Sequence, residues 1–305
     1  ARRHALDQSR TRGCDPDDGP IPRLSDDKFR VASSNCWAEC IITLLTVMET
    51  GVARQITRDL DQRDGIRVAI SHYPAGLAMG RHAHDDHQIS LLLAGEVEET
   101  SGTCTRDMSG PSLGVKAAGR AHANRYGPNG ALILSVNLSS RHEMSVDLPA
   151  SGWSWQKATR SEILLAHSIA RSGNSGELPG LALDLIASAA GVDEKPQREP
   201  PVWARRLRDQ IRDGIGPVDL GEAAREAGIH RGHVSRGFRK SFGIPPSLYG
   251  LRCRIARAID GLARGEPAAD AACGSGFSDQ SHFIRSLKRE TGFTPQALSQ
   301  LLATG

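Results

Sequence analysis

The strongest constraint on this chain is a repeat. The segment Leu220 to Pro246, LGEAAREAGIHRGHVSRGFRKSFGIPP, is followed by a related one from Ala268 to Pro295, AADAACGSGFSDQSHFIRSLKRETGFTP. Arg236, Phe238, Gly243 and Pro246 recur 49 residues later as Arg285, Leu287, Gly292 and Pro295. Each copy reads as a short Ala-rich helix, a turn at Gly228 or Gly276, and a second helix. That is the plan of a helix-turn-helix.

The second helix of each copy divides into two faces. In residues 231–241, Val234 and Phe238 form the inward stripe, and Arg231 opens the helix. Gly232, Ser235, Arg236 and Arg239 follow the i, i+3, i+4, i+7 spacing of one outer face. In residues 279–290, Phe283 and Leu287 point inward while Ser281, His282, Arg285 and Lys288 point outward. Gln280 lies at the N-terminal end, where such helices touch base edges. Arg pairs bidentately with guanine and Gln with adenine, so the two faces carry the chemistry of base readout. A lone basic helix face is as often merely solvated, but two in register are much harder to explain that way.

Between the copies, PSLYGLRCRIARAIDGLARG (246–265) places Leu248, Leu251, Ile255, Ile259 and Leu262 on one face of a helix. At about 1.5 Å per residue it spans roughly 25 Å. With the width of the units, that length suits two recognition helices in successive major grooves, about 34 Å apart. Its outward Arg252, Arg254 and Arg257 are placed either to reach phosphates or, as is just as common on a linking helix, only to be solvated. The charge agrees: from Pro201 onward there are 16 Lys/Arg against 10 Asp/Glu, whereas the whole chain carries only +3. A basic C-terminal third is the footprint of a polyanion partner.

The run GFSDQSHFIRSLKRETGFTPQAL resembles the signature of the AraC/XylS transcription regulators: G-F-x-D-x-S-x-F-x-R, a basic pair, a glycine, then T-P. The resemblance covers residues 203–303. Leu287 replaces a usual Phe, Gly232 a usual longer side chain, and AADAACGSG the usual stronger helix. The resemblance implies a sequence-specific DNA-binding regulator acting on a double-stranded promoter or operator, usually as a homodimer, with RNA polymerase as a further candidate partner.

Upstream, residues 66–138 hold short β-prone runs (IRVAISHY, QISLLLAG, EVEET, ALILSVNL) between Gly- and Pro-bearing turns, as in a sandwich or barrel. Helical periodicity returns in KATRSEILLAHSIARSG and LPGLALDLIASAAG; these helices either cover the barrel or pair with a second copy. VDEKPQREPP (192–201) has the composition of a linker. The family commonly carries a cupin-like sensor barrel here. Gly76, His82, His84, Gln88 and Gly95 are similar to the first cupin motif, and Gly119 and His122 to the second.

His82, His84, Gln88 and His122 are therefore expected to line the pocket of a small-molecule effector. Gln88 stands where cupin enzymes have a Glu, and an amide lacks the charge that helps hold a hard or borderline cation. His87 and Asp86 are adjacent strand positions, and His87 faces away from Gln88. Metal binding and purely structural histidines remain alternatives, but no metal or cofactor is assigned, and no catalytic residues are expected. The rival readings are a metal-dependent cupin enzyme with a helical tail and an effector-independent dimeric regulator.

The expected fold is thus α+β and multidomain: a cupin-like β-barrel with following helices, then an all-α domain of two helix-turn-helix units joined by a linker helix. The expected bounds are 1–64 for an extension, disordered and then helical to about Arg63; 65–148 for the barrel; 149–191 for supporting or dimerising helices; 192–201 for the linker; and 202–305 for the DNA-binding domain. The longest apolar run, IITLLTVM (41–48), is too short for a bilayer, and six scattered cysteines make no disulfide framework, so a reduced cytoplasm is expected. Met48 is the first methionine, so residues 1–47 read as an upstream extension. N-terminal mass spectrometry of the natively expressed protein should find no peptide before Met48; finding one refutes that reading.

Overall fold

The computed structural model describes residues 54–140, 151–172, 176–189, 199–214 and 219–303. The segment expected to be an upstream extension, and most of the linker, lie outside the described residues. Eight antiparallel strands form one sheet in the order β1-β2-β7-β4-β6-β8, with β3 on β7 and β5 on β4. They are β1 (Ile56–Arg63), β2 (Ile66–Tyr73), β3 (Ala78–His82), β4 (Asp86–Ser101), β5 (Cys104–Ser109), β6 (Ser112–Lys116), β7 (His122–Ser139) and β8 (Trp153–Lys157).

Two long strands, β4 and β7, fold the sheet over on itself as a barrel. β4 pairs with β6 through residues 88–92 and with β5 through 96–101, and the register of β4 against β7 shifts between Leu92 and Ala94 and again between Gly95 and Val97. Such bulges bend and twist a strand, which folds one half of the sheet over the other. Gly95 sits at the bend with φ +89°, where a Cβ would overlap the Gly130 carbonyl oxygen.

The sheet extends past the expected bounds of 65–148 on both sides. Residues 56–63, expected to continue a helix, form strand β1 paired with β2. Ile56 and Leu60 are four apart, which imitates a helix stripe, but β1 is an edge strand that need bury little. At the other end β8 pairs with β6 and completes the sheet. Cys253 and Cys273 are free.

Alternation along the strands separates two apolar clusters. Leu92, Val97, Tyr126, Ile133, Trp153 and Trp155 fill the lumen. Ile89, Leu91, Leu134 and Val136 belong to an outer core continuous with the helices α1 (Arg160–Ser172) and α2 (Leu178–Ala189). These two helices cover the barrel, and they leave Leu164 and Leu183 exposed.

The remaining helices are α3 (Val202–Asp213), α4 (Leu220–Ala227), α5 (Arg231–Phe242), α6 (Pro246–Ala263), α7 (Ala268–Gly274), α8 (Gln280–Thr291) and α9 (Pro295–Leu302). The first unit, α4–α5, has its own core of Val234, Phe238, Tyr249 and Leu207. The second, α7–α8, buries Phe283 and Leu287 in the core it shares with the barrel. The linker helix α6 lies against β4 and β7. Its Asp260 stands 3.3 Å from His72 on β2, and its Tyr249 hydroxyl donates to Glu96 on β4.

Gly95→Ala should lower stability by more than about 1 kcal/mol, because both the backbone angle and the space are wrong for a side chain. Urea unfolding followed by tryptophan fluorescence measures it.

Candidate functional site

The two second helices of the repeat are built alike. His230 caps α5 by accepting from the Gly232 amide, and Asp279 caps α8 by accepting from the His282 amide at 2.7 Å. Each ends at a left-handed glycine, Gly243 (φ 80°) and Gly292 (φ 83°). Val234, Phe238, Phe283 and Leu287 are fully buried, which fixes which face looks outward.

On α5, Arg231, Gly232, Arg236 and Arg239 are exposed and Ser235 is half-buried. On α8, Gln280, Ser281, Arg285 and Lys288 are exposed. His282 is half-buried, its ring edge-on to Phe277 at 5.4 Å between centroids. Arg231, Arg239, Arg285 and Lys288 form no salt bridge with a carboxylate among the described residues. The Nε of Arg236 donates to the Gly232 carbonyl of its own helix. These cationic groups are thus free to meet an external anion.

In the barrel, strands β3 and β7 and the turn between β3 and β4 bring His82, His84 and His122 together. One ring nitrogen of each lies within 4.8 Å of the others. Gly80 O and Arg120 O lie 2.8 and 3.1 Å from Nδ1 of His82 and His122, which favours the tautomer with a free Nε2. Such a set fits a borderline divalent cation through three nitrogens. Gln88 is not part of this convergence: its amide donates to Asn137 Oδ1 at 3.0 Å, in the strand row that also holds Lys116. His87 faces elsewhere, accepting from the Ala118 amide.

Beside the histidines lies a charged centre the sequence reading did not single out. Glu99 is fully buried, and its carboxylate takes four donors. The indole N–H groups of Trp153 and Trp155 meet Oε1, the latter at 2.8 Å. Lys116 Nζ and Asn124 Nδ2 meet Oε2, both at 2.8 Å. Burial alone would raise the Glu99 pKa, but the Lys116 ammonium and these hydrogen bonds hold it well below the usual range. Burial, then the Lys116 charge, pushes His84 down to about 4 and lowers His122 as well. This end of the lumen thus places His84 and His122, both disfavoured as cations, beside a fixed Lys116–Glu99 ion pair.

Residues 223–300, from α4 to α9, match a family model described as a helix-turn-helix domain. The C-terminal domain is a helix-turn-helix domain of the AraC type. No curated protein matches the chain. Among solved structures, an apo variant of ToxT from Vibrio cholerae is similar at 13% identity, covering 80% of this chain and 100% of that one, with a TM-score of 0.34. ToxT with a bound unsaturated fatty acid is similar at 12% identity over 78% and 96%, TM-score 0.33. A cupin superfamily protein from Desulfitobacterium hafniense is similar at 18% identity over 32% and 88%, TM-score 0.28.

Within the AraC-type domain the structure corrects the reading of the linker-helix arginines. Arg252 is paired with Glu290 at 2.9 Å, Arg254 lies over the Phe277 ring, and Arg257 donates to the carbonyls of Arg212 and Gly214. They hold the domain together rather than facing phosphates. Conversely, Ile284 is a missed candidate. It is exposed on the Ser281–Arg285–Lys288 face, where a side chain three residues after Ser281 must lie, and an apolar group there suits a thymine methyl. Its signal was one Ile in a polar stripe.

In the unfolded chain His84 takes up a proton near the ordinary value of 6.5, whereas the folded barrel refuses it until about pH 4. The unfolded state therefore binds more protons in that window, and stability falls as pH drops through it. Denaturant titrations between pH 7 and pH 4 should show this slope, and His84→Asn should flatten it.

Proposed function

We propose that the protein is a sequence-specific transcriptional regulator that reads double-stranded DNA with α5 and α8 and senses a small molecule through its barrel. The carrying observation is the duplicated AraC-type unit, whose equivalent outward faces carry basic side chains that form no salt bridge among the described residues. Arg231, Gly232, Ser235, Arg236 and Arg239 form one reading face; Gln280, Ser281, His282, Arg285 and Lys288 form the other, joined by Ile284. The domain bounds that go with this reading are a barrel through β8, its covering helices, a linker and the AraC-type domain from α3 on. Leu164 and Leu183, exposed on the covering helices, are the surface offered to a second copy.

The effector reading rests on the half-buried His82 and His84 and the buried His122 that they meet. Trp153, Trp155, Tyr73 and Tyr126 occupy the deeper lumen, with the two tyrosines stacked at 4.1 Å. His82, His84 and His122 are therefore where a ligand would be anchored, with Gln88 and Asn137 as further polar groups behind them. A second reading has its own support: the convergence of three imidazole nitrogens favours a divalent cation there, and with it a metal-dependent cupin. Metal analysis of protein purified without an affinity tag separates the two. Stoichiometric zinc, iron, manganese or nickel, lost on His82→Ala with His122→Ala, supports the second.

For DNA, Arg236→Ala or Arg285→Ala should cost about 1–3 kcal/mol on the cognate duplex and relax base preference at the contacted position. Affinity should fall steeply with salt. Fluorescence anisotropy on a duplex enriched from a randomised pool measures both; wild-type affinity in both variants contradicts the assignment of the reading faces.

A further inference from the structure

The C-terminal ends of α5 and α8 share a feature that the reading faces do not explain. Both are met by one continuous segment of the sensor, running from β8 into α1. At α5, Lys157 Nζ donates to the Phe242 carbonyl at 2.5 Å, and a Cβ on Gly243 would overlap that Nζ. At α8, His167 Nε2 lies 3.4 Å from the Glu290 carbonyl, and a Cβ on Gly292 would sit 2.9 Å from the His167 ring. Gly243 and Gly292 are equivalent positions of the repeat. Carbonyls of a last helical turn have no partner in their own helix, so a donor from outside is well placed there, a cation at the end of α5 especially.

The segment is built to keep those two contacts at a fixed separation. Its β8 end is held in the lumen by Trp153 and Trp155, whose indoles both donate to buried Glu99. Gly114 lies beneath the Trp155 ring, with no room for a Cβ. The corner into α1 is a reciprocal capping box: the Thr159 amide donates to Glu162 Oε2, and the Glu162 amide to Thr159 Oγ1. Glu162 is itself buried, and Ala166 and Ile169 bind α1 into the outer core. Strand, corner and helix thus form one stiff piece touching both recognition helices.

We infer that Lys157 and His167 are positioning residues: they set the placement of α5 relative to α8, and so the number of base pairs between the two subsites the protein accepts. This rests on the DNA-binding reading above. The bond at α5 is a single exposed ammonium, whereas α8 is also held by the shared core. The first unit's other contacts with the sensor are polar and lie away from α5, Arg208 with Asp107 and Tyr249 with Glu96, so it is the unit loosened when the Lys157 contact is lost.

The test uses the full chain. A duplex is enriched from a randomised pool with wild-type protein, and versions with one base pair inserted or deleted between the subsites are made. Wild type should lose about tenfold or more on the altered duplexes, as expected when a rigid pair of helices must follow the groove. Lys157→Met with His167→Gln should bind the original duplex within about threefold of wild type, yet lose much less on the altered ones; Lys157→Arg should restore the strict spacing. Lys157 is exposed, so Lys157→Met alone carries the test if the double variant does not fold. Spacing preference identical to wild type in a folded variant overturns the inference. If wild type enriches no sequence at all, the DNA-binding reading fails and takes this inference with it.

Discussion

The Glu99 carboxylate carries more of the architecture than any other group. Removing a carboxylate from water costs several kcal/mol even after relaxation, and only close, well-aimed donors recover it. Here four donors come from three other strands: Lys116 on β6, Asn124 on β7, and Trp153 and Trp155 on β8. A group that binds three strands this way fixes the contents of the lumen and holds the edge strand β8 against β6. It also bears on the histidines beside it: burial first, and then the Lys116 charge that Glu99 holds in place, disfavours the cationic forms of His84 and His122.

From β8 that constraint passes outward. The capping box at Thr159 and Glu162 turns the chain into α1, and α1 with α2 covers the outer face of the barrel. The same outer core takes in Phe283 and Leu287, so the second helix-turn-helix unit is part of the sensor's own packing. The first unit is packed around Val234 and Phe238 and meets the barrel through polar contacts, Arg208 with Asp107 and Tyr249 with Glu96 among them. A duplicated sequence has become two mechanically unequal units, one fixed to the sensor and one attached by separable bonds.

Much of the C-terminal domain was legible because its signals are local. Helix faces follow from spacing, and the turns at Gly228 and Gly276 and the caps at Gly243 and Gly292 follow from the backbone angles that glycine allows. The alternation around Gln88 likewise placed it inward and His87 away. What escaped depends on contacts far apart in sequence. Ile56 and Leu60 fit a helix as well as an edge strand until β2 is beside them. The period-two pattern of WSWQK was present, but nothing local says that both indoles find the same carboxylate 54 and 56 residues earlier. Arg252, Arg254 and Arg257 looked solvent-facing on their own helix, and only the folded neighbours show that Glu290, Phe277 and the end of α3 take them up.

The account stands or falls on whether one chain presents both recognition helices to one duplex. Methylation interference at guanine N7, on a duplex enriched with the full-length protein, tests this most directly. Two clusters of interfering guanines on one face of the duplex, about 10 base pairs apart, are the predicted result, one lost with Arg236→Ala and the other with Arg285→Ala. A single cluster unaffected by either substitution, or no interference at all, would contradict it.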